Sequence, residues 1–141
     1  MKTYQKIMLC AGIAVAVVFI VIPALLVGGM YLFSSIRSAN FERDKAVMIE
    51  GVTFDEMMLK VKHAKSLSVT FVDEALNEKY IPERHPKPGQ AFKRPMDSAG
   101  KPAKVQMCML VYTIFVYARR IIYISFDEDE KITVVEEKFL D

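Results

Sequence analysis

The sequence predicts an α+β domain carried on one transmembrane helix, and three patterns lead to this prediction. Residues 7–33 contain no charged side chain, residues 53–56 have the composition of a helix start, and residues 105–139 are rich in β-branched and aromatic side chains. The expected parts, in order, are a charged tail over residues 1–6, a transmembrane helix over 7–36 and a soluble α+β domain over 37–141. In that domain we expect two or three short helices packed on a three-stranded antiparallel sheet.

The apolar segment is long enough to cross a membrane. Ile7 to Phe33 comprises 27 uncharged residues, about 40 Å as a helix against a hydrocarbon core of about 30 Å. Pro23 favours a kink that a partner helix can fit, although proline is also simply common in membrane helices, and Tyr31 is expected at the far interface. A cleaved signal peptide is the alternative, but its apolar core of about 7 to 15 residues would be shorter.

The flanking charges do not decide the orientation. Lys2 and Lys6 precede the apolar segment, and Arg37, Arg43 and Lys45 follow it, so the positive-inside rule favours neither side. A short N-terminal tail acting as an uncleaved signal anchor would place the domain on the extracytoplasmic, periplasmic side. This is the orientation that we expect.

The first half of the domain shows helix signals. Thr53 and Glu56 form a capping box, in which the hydroxyl accepts from the Glu56 amide and the carboxylate reaches back. Apolar residues then recur at intervals of three and four, which predicts a helix over 54–65. A preceding helix over 40–49 and a short one over 73–81, ended by Pro82, are also expected.

The C-terminal part shows strand signals. Its apolar stretches are rich in Val, Ile, Tyr and Phe, which predicts strands over Val105–Phe115, Arg120–Phe126 and Lys131–Phe139. The acidic residues 127–130 would turn the last two into a hairpin. The turn between the first two, near 117–120, lacks Gly, Pro, Asn and Asp, so their pairing is the less secure prediction.

A basic, proline-rich loop is expected over residues 79–104. It holds five of the six prolines and carries seven basic against two acidic side chains. A basic loop close to a bilayer is attracted to anionic headgroups by about 1 kcal/mol per charge, and an aromatic ring can enter the interface. The alternative is a solvated loop that balances acidic flanks. The residues expected to contact lipid or a partner are Arg84, Lys87, Phe92, Lys93 and Arg94.

Charge and cysteine content restrict the function. From Arg37 onward, 17 basic side chains balance 17 acidic ones, which argues against nucleic-acid binding. Cys108 is expected to be a buried small hydrophobe. The two histidines and two cysteines show no spacing typical of a metal, nucleophile or phosphate site. We therefore expect no catalytic residue, cofactor, metal or small-molecule substrate.

Two short segments resemble the SmpA/OmlA family. They are Met48–Met57, which opens a helix, and Ile124–Ile132, which closes a hairpin, and the resemblance covers roughly residues 45–66 and 105–138. It implies a small helix-helix-sheet domain of a bacterial cell envelope and a non-enzymatic accessory subunit, typically of the outer-membrane β-barrel assembly machinery, that contacts partner proteins and anionic lipid. The chain departs from the family at residues 64–66, in its longer loop and in lacking a lipidated cysteine.

These patterns together predict a non-enzymatic, single-pass accessory or scaffold subunit of a membrane or envelope assembly. Its helix and domain would bind integral membrane proteins. The alternative is a stand-alone module that binds anionic lipid at the membrane surface.

Overall fold

A computed structural model describes residues 2–79 and 89–140 of the chain. The chain divides into two units, one ending at Ile36 and the other beginning at Arg37. The helices are α1 (Thr3–Ala16), a π-helical segment (Val17–Val21), α2 (Ile22–Lys45), α3 (Phe54–Lys60) and α4 (Glu74–Lys79). The strands are β1 (Ser66–Phe71), β2 (Val105–Thr113), β3 (Arg119–Phe126) and β4 (Ile132–Leu140).

The first unit is helical and apolar. The continuous helix from Thr3 to Lys45 is long and apolar enough to cross a membrane. A π-helical turn precedes Pro23, and in it the Ile22 amide donates to the Val17 carbonyl, five residues back. Since proline lacks an amide hydrogen and crowds the carbonyl four residues earlier, a widened turn accommodates it. Pro23 and Tyr31 are both exposed.

The second unit is an antiparallel sheet in the order β1-β2-β3-β4. The prediction of three strands is wrong because it omits β1, which pairs with β2. In β1, Leu67, Val69 and Phe71 are buried and alternate with Ser66, Ser68 and Thr70. This is the period-two pattern of a strand with one face on a core.

Both predicted hairpins are confirmed, with strand ends within two residues of those expected. Between β3 and β4, an Asp127 carboxylate oxygen accepts from the amides of Asp129 and Lys131, both at 2.9 Å, and Glu130 adopts a left-handed φ of 57°. Between β2 and β3, the Ile114 amide donates to the Ala118 carbonyl at 3.0 Å. That turn is made by backbone pairing, which explains why turn-specific residues are missing.

The helices of the domain are shorter than predicted. The Thr53 hydroxyl caps α3 by accepting from the Glu56 amide at 3.3 Å, as expected, but α3 ends at Lys60 rather than at residue 65. The separate helix expected over 40–49 is wrong, because α2 itself continues to Lys45. Helix α4 lies within the range 73–81, whose last two residues are outside the described part of the chain.

One hydrophobic core joins the helices to one face of the sheet. Phe41 from α2 and Phe54, Met57 and Met58 from α3 are all fully buried. They pack on the inward side chains of the strands, which are Leu67, Val69, Phe71, Val105, Cys108, Leu110, Tyr112, Ile122, Ile124, Phe126 and Ile132. The opposite face of the sheet contributes none of the residues of this described core.

Candidate interaction surfaces

A buried carboxylate lies where the end of α2 meets the sheet. Asp44 is only 2% exposed. Its oxygens accept from the amides of Lys62 at 3.2 Å and His63 at 2.9 Å, and from the Tyr112 hydroxyl at 2.9 Å. Burial, followed by the charge of Asp44, raises the pKa of Tyr112. Three donors therefore satisfy a charge that would otherwise be costly to bury.

This carboxylate explains why α3 stops early. Val61 leaves the helix with an extended backbone, φ −75° and ψ 121°, so the two following amides point away from the helix axis toward Asp44. Because Asp44 comes from a distant part of the chain, the local apolar pattern carries no sign of it. The prediction of a longer helix fails at this tertiary contact.

The end of α2 is also tied to β3 and β4. Lys45 Nζ lies 2.7 Å from a Glu137 carboxylate oxygen on β4. The Arg120 guanidinium lies over the rings of Phe41 and Phe139, 4.9 Å from each centroid, and 3.8 Å from Glu137. Cation–π and ionic contacts together fix the last turns of α2 on the sheet.

The described part of the basic loop, residues 89–104, is attached to the domain at several points. The Phe92 ring stacks on Phe71 at 6.0 Å and meets Phe54 edge-on at 5.4 Å. The Gly89 amide donates to the Met58 carbonyl at 3.0 Å. An Asp73 carboxylate oxygen accepts from the amide and hydroxyl of Ser98, both at 3.1 Å.

Arg94 is the main polar attachment of this loop. Its guanidinium faces both Glu130 oxygens, with Nη1 at 2.8 Å from one and Nη2 at 2.6 Å from the other. It also donates to Asp55 at 3.1 Å and to the Ala103 carbonyl at 2.8 Å, and lies 5.6 Å from the centroid of the Phe54 ring. The charge of Arg94 is thus used inside the domain.

The residues predicted to contact lipid or a partner therefore differ in how available they are for such a contact. Arg84 and Lys87 lie outside the described residues. Phe92 is half-buried and Arg94 is paired with carboxylates, so within the described loop it is Lys93 that presents an exposed charge beside them. Contact of these residues with lipid or a partner stays a prediction, as it does for Pro23 and Tyr31.

The outer edge of β4 is a surface that the sequence reasoning did not identify. β4 is the last strand in the sheet order, and of its nine residues Ile132 is the buried one. Apolar side chains are exposed along it, namely Val134 at 48%, Val135 at 36%, Phe139 at 62% and Leu140 at 50%. An edge strand of this kind offers unpaired amides and carbonyls for pairing with another strand. The available signal was a strand-forming segment in which three charged residues, Glu136 to Lys138, stand between Val134-Val135 and Phe139-Leu140.

Cys108 is buried as predicted, with 1% of its surface exposed. Burial raises the pKa of its thiol well above the ordinary range. Because the thiolate is the reactive form, Cys108 is an inert core residue.

Fold and surfaces together define a small α+β domain that follows an apolar helix long enough to cross a membrane. The chain matches no protein-family model, and neither the curated proteins nor the solved structures contain a significant match to it. The resemblance to the SmpA/OmlA family stays a prediction.

Proposed function

We propose that this chain is a non-enzymatic, single-pass membrane-anchored accessory subunit that binds an integral membrane protein. The observation that carries the proposal is the helix from Thr3 to Lys45, which is apolar enough to span a membrane and whose last residues already belong to the domain unit. Arg37, the first residue of the domain unit, lies four residues after Phe33, the end of the uncharged segment. A domain so tethered works at the membrane surface.

The side of the membrane that the domain faces belongs to the same proposal. We infer the extracytoplasmic side, which is the orientation of an uncleaved signal anchor whose apolar segment directs insertion and remains in the membrane. Protease added to spheroplasts, in which the outer membrane is opened and the inner membrane is intact, should then remove the domain. Protection that is lost only when the inner membrane is lysed would contradict this orientation.

Partner binding is tested by purifying the full chain in a mild detergent and identifying what co-purifies. We expect a stable membrane-protein partner, because the apolar helix contains a π-helical turn and Pro23, which simple insertion does not require. The matched variant replaces residues 7–33 by an alternating Leu and Ala segment of the same length, which still inserts but removes Pro23 and Tyr31. We expect it to lose most of the partner.

One outcome would contradict the accessory role, namely recovery of the chain by itself, either as a monomer or as a complex of identical copies. Equal recovery of the partner with the replaced segment would instead move the contact from the helix to the domain.

A pocket in the domain favours the alternative function, anionic-lipid binding. It has a volume of about 270 Å³ and is lined by Arg37, His63, Lys65 and Thr113. The Thr113 hydroxyl oxygen is buried and has no hydrogen-bond partner among the described residues. Buried polar atoms are usually paired, so an oxygen among basic side chains suits a phosphate group.

The domain's fold assembles this pocket. Arg37, Phe41 and Asp44 follow one another at intervals of four and three along α2 and so share one face of the helix. Phe41 packs edge-on against Tyr112 with ring centroids 5.0 Å apart, and Asp44 holds the His63 amide. Arg37 is therefore the member of this face closest in sequence to the apolar segment, where a lipid headgroup would lie.

Lipid binding is tested with the full chain in a neutral detergent, by titrating a short-chain phosphatidylglycerol. Arg37→Gln with Lys65→Gln should weaken binding about tenfold or more, since each removes a charged donor. Lys60→Gln, an exposed charge on α3 outside the pocket, serves as control. The pocket would be rejected as the site if the double variant and the Lys60→Gln control weakened binding equally, or if a neutral diacylglycerol bound as well as the anionic lipid. Competition by inorganic phosphate would indicate a free anion as the ligand of the pocket.

A further inference from the structure

Within the described residues, the outer edge of β4 is free only beyond Ile132. At its start, the Gly51 amide donates to the Ile132 carbonyl at 3.0 Å and the Ile132 amide donates to the Val52 carbonyl at 2.9 Å. Thr53 and Lys131 form an isolated bridge beside them. The chain just before α3 therefore occupies the outer edge at Ile132, and within the described residues the edge is open from Thr133 to Leu140.

The two faces of β4 carry different side chains. Arg120, Ile122 and Ile124 on β3 lie opposite Phe139, Glu137 and Val135 respectively, so these three residues of β4 share the face that bears the core. The intervening residues are on the outer face, which they share with the Tyr123 ring, 5.1 Å from Lys138 Nζ. The outer-facing residues are Val134, Glu136, Lys138 and Leu140.

A second copy of β4 can pair antiparallel with the first only in certain registers. The two-fold axis that relates antiparallel neighbours stands perpendicular to the sheet, so directly opposite residues point to the same face. Opposing residues must then both have even numbers or both have odd numbers, so the axis passes between the two copies of one residue. That self-opposed residue can be any of the four in the middle of the free edge, which are Val135, Glu136, Glu137 and Lys138.

Only one of these four registers makes every opposition between two different residues favourable. With the axis at Glu137, Glu136 opposes Lys138 of the second copy, Val134 opposes Leu140, and Val135 opposes Phe139. Each of these pairs occurs twice, and opposite charges or apolar groups across strands stabilise a sheet. The seven residues 134–140 then pair entirely within the free edge and stop short of the occupied position at Ile132.

The other three registers each bring unfavourable pairs together. With the axis at Glu136, that carboxylate opposes itself, Val135 opposes Glu137, and Ile132 at the occupied position is drawn into the ladder. With the axis at Lys138, the ammonium opposes itself and Glu137 opposes Phe139. With the axis at Val135, Val134 opposes Glu136 and Lys138 opposes Ile132.

The self-opposed residue in the favourable register is a carboxylate whose charge is already compensated. Glu137 lies 2.7 Å from Lys45 and 3.8 Å from Arg120 in its own copy, so two copies bring four cations to two carboxylates. Like charges that oppose each other usually destabilise a sheet. Here the nearby cations offset the repulsion between the two Glu137 carboxylates.

We propose that β4 is a homodimer interface, in which two copies pair antiparallel about Glu137 and form one eight-stranded sheet. A perpendicular two-fold axis places the Arg37–Lys45 segments of both copies on the same face of this sheet. Two chains anchored in one membrane need that arrangement, and tethering raises their effective concentration. The dimer is independent of the proposed partner, since it forms between identical chains.

Cysteine pairs test the register in the full chain in detergent, in a Cys10→Ser background. Val134→Cys with Leu140→Cys should give a disulfide-linked dimer, because these positions oppose each other across the axis. Val134→Cys alone should not cross-link, since its two copies would be about 20 Å apart along the strands. Equal cross-linking of the single and double variants, or of neither, would overturn the proposal.

Charge exchange is the second test, read by the mass of the protein in light scattering. Glu136→Lys should weaken the dimer about tenfold, because two attractive pairs become repulsive. Lys138→Glu should act similarly, and the double exchange should restore the dimer because it re-forms both pairs with the signs reversed. A double variant as weak as either single one, or a native chain that is monomeric at every concentration tested, would overturn the proposal. Loss of the dimer with the membrane-protein partner still bound would leave the accessory role standing.

Discussion

Asp44→Ala is expected to lower the free energy of unfolding by about 3 to 5 kcal/mol, since truncating one member of a buried charged network leaves its partners without a bond. Two amides, those of Lys62 and His63, and the Tyr112 hydroxyl would lose their acceptor. Tyr112 is buried beside Asp44, so little water can reach its hydroxyl, whereas Lys62 and His63 are exposed residues whose bonds to Asp44 are only partly buried. Urea unfolding of the full chain in detergent, followed by near-ultraviolet circular dichroism, measures the loss.

Tyr112→Phe is the matched control for this prediction. It removes one of the three donors and keeps the ring that packs on Phe41, so we expect a loss of only about 1 to 2 kcal/mol. A difference between Asp44→Ala and Tyr112→Phe smaller than about 1 kcal/mol would show that the two amides contribute little. Asp44 would then stabilise the fold mainly through its hydrogen bond with Tyr112.

The same control carries a pH signature. The pKa of Tyr112 is raised in the folded state by burial and then by the charge of Asp44, whereas in the unfolded chain a tyrosine ionises near pH 10. Above about pH 10 the unfolded state therefore releases a proton that the folded state retains, and stability falls as the pH rises. Removal of the hydroxyl in Tyr112→Phe should reduce this alkaline loss.

Local patterns in the sequence predict most of the elements but not their connections. The uncharged segment, the Thr53 cap and three strands are each encoded within a few neighbouring residues, and the structure contains all of them. β1 is encoded just as locally, in the alternation of Leu67, Val69 and Phe71 with Ser and Thr, so the sequence contains the signal for this strand and the prediction missed it. Period-two patterns of six residues are short enough to be overlooked beside a helix.

The remaining differences come from tertiary contacts. The end of α3 depends on Asp44, 18 residues before Lys62 in the chain, and no spacing rule connects a residue of one helix to the end of another. The free edge of β4 likewise follows from strand order, which leaves β1 and β4 at the two ends of the sheet. Charge along a strand is visible in the sequence, but whether it faces solvent, core or another copy is decided by the sheet.

The basic loop shows the same limit at the level of single residues. From the sequence, Phe92, Lys93 and Arg94 form one exposed amphipathic group suited to a membrane surface. In the fold, Phe92 packs against Phe54 and Phe71, and Arg94 reaches Asp55 and Glu130, 39 and 36 residues away in the chain. Adjacent residues can therefore have opposite environments, and only Lys93 of the three keeps the exposure that the prediction assumed.

Arg94→Ala is expected to lower the free energy of unfolding by about 2 to 3 kcal/mol, less than a fully buried pair because both partners keep some contact with water. The side chains of Arg94 and Glu130 are 17% and 18% exposed. One Glu130 oxygen accepts a hydrogen bond from the guanidinium, and the other lies close to it without a hydrogen bond among the described residues. Loss of Arg94 therefore removes one charge-assisted hydrogen bond and one ionic contact from that carboxylate. Lys93→Ala, a change at the adjacent exposed position, should alter stability by less than about 0.5 kcal/mol.

Two further variants separate the charge of Arg94 from its geometry. Arg94→Lys keeps the charge but cannot span both Glu130 oxygens and the Ala103 carbonyl, so it should recover less than half of the loss. Arg94→Ala combined with Glu130→Gln should cost less than the sum of the single changes, because each removes the same interaction. Hydrogen exchange should locate the effect, with faster exchange at the Ala103 amide, which donates to the Pro95 carbonyl at 2.8 Å. Additive losses and unchanged exchange there would mean that Arg94 does not hold the loop, and its charge would then be available for the membrane contact that the sequence suggests.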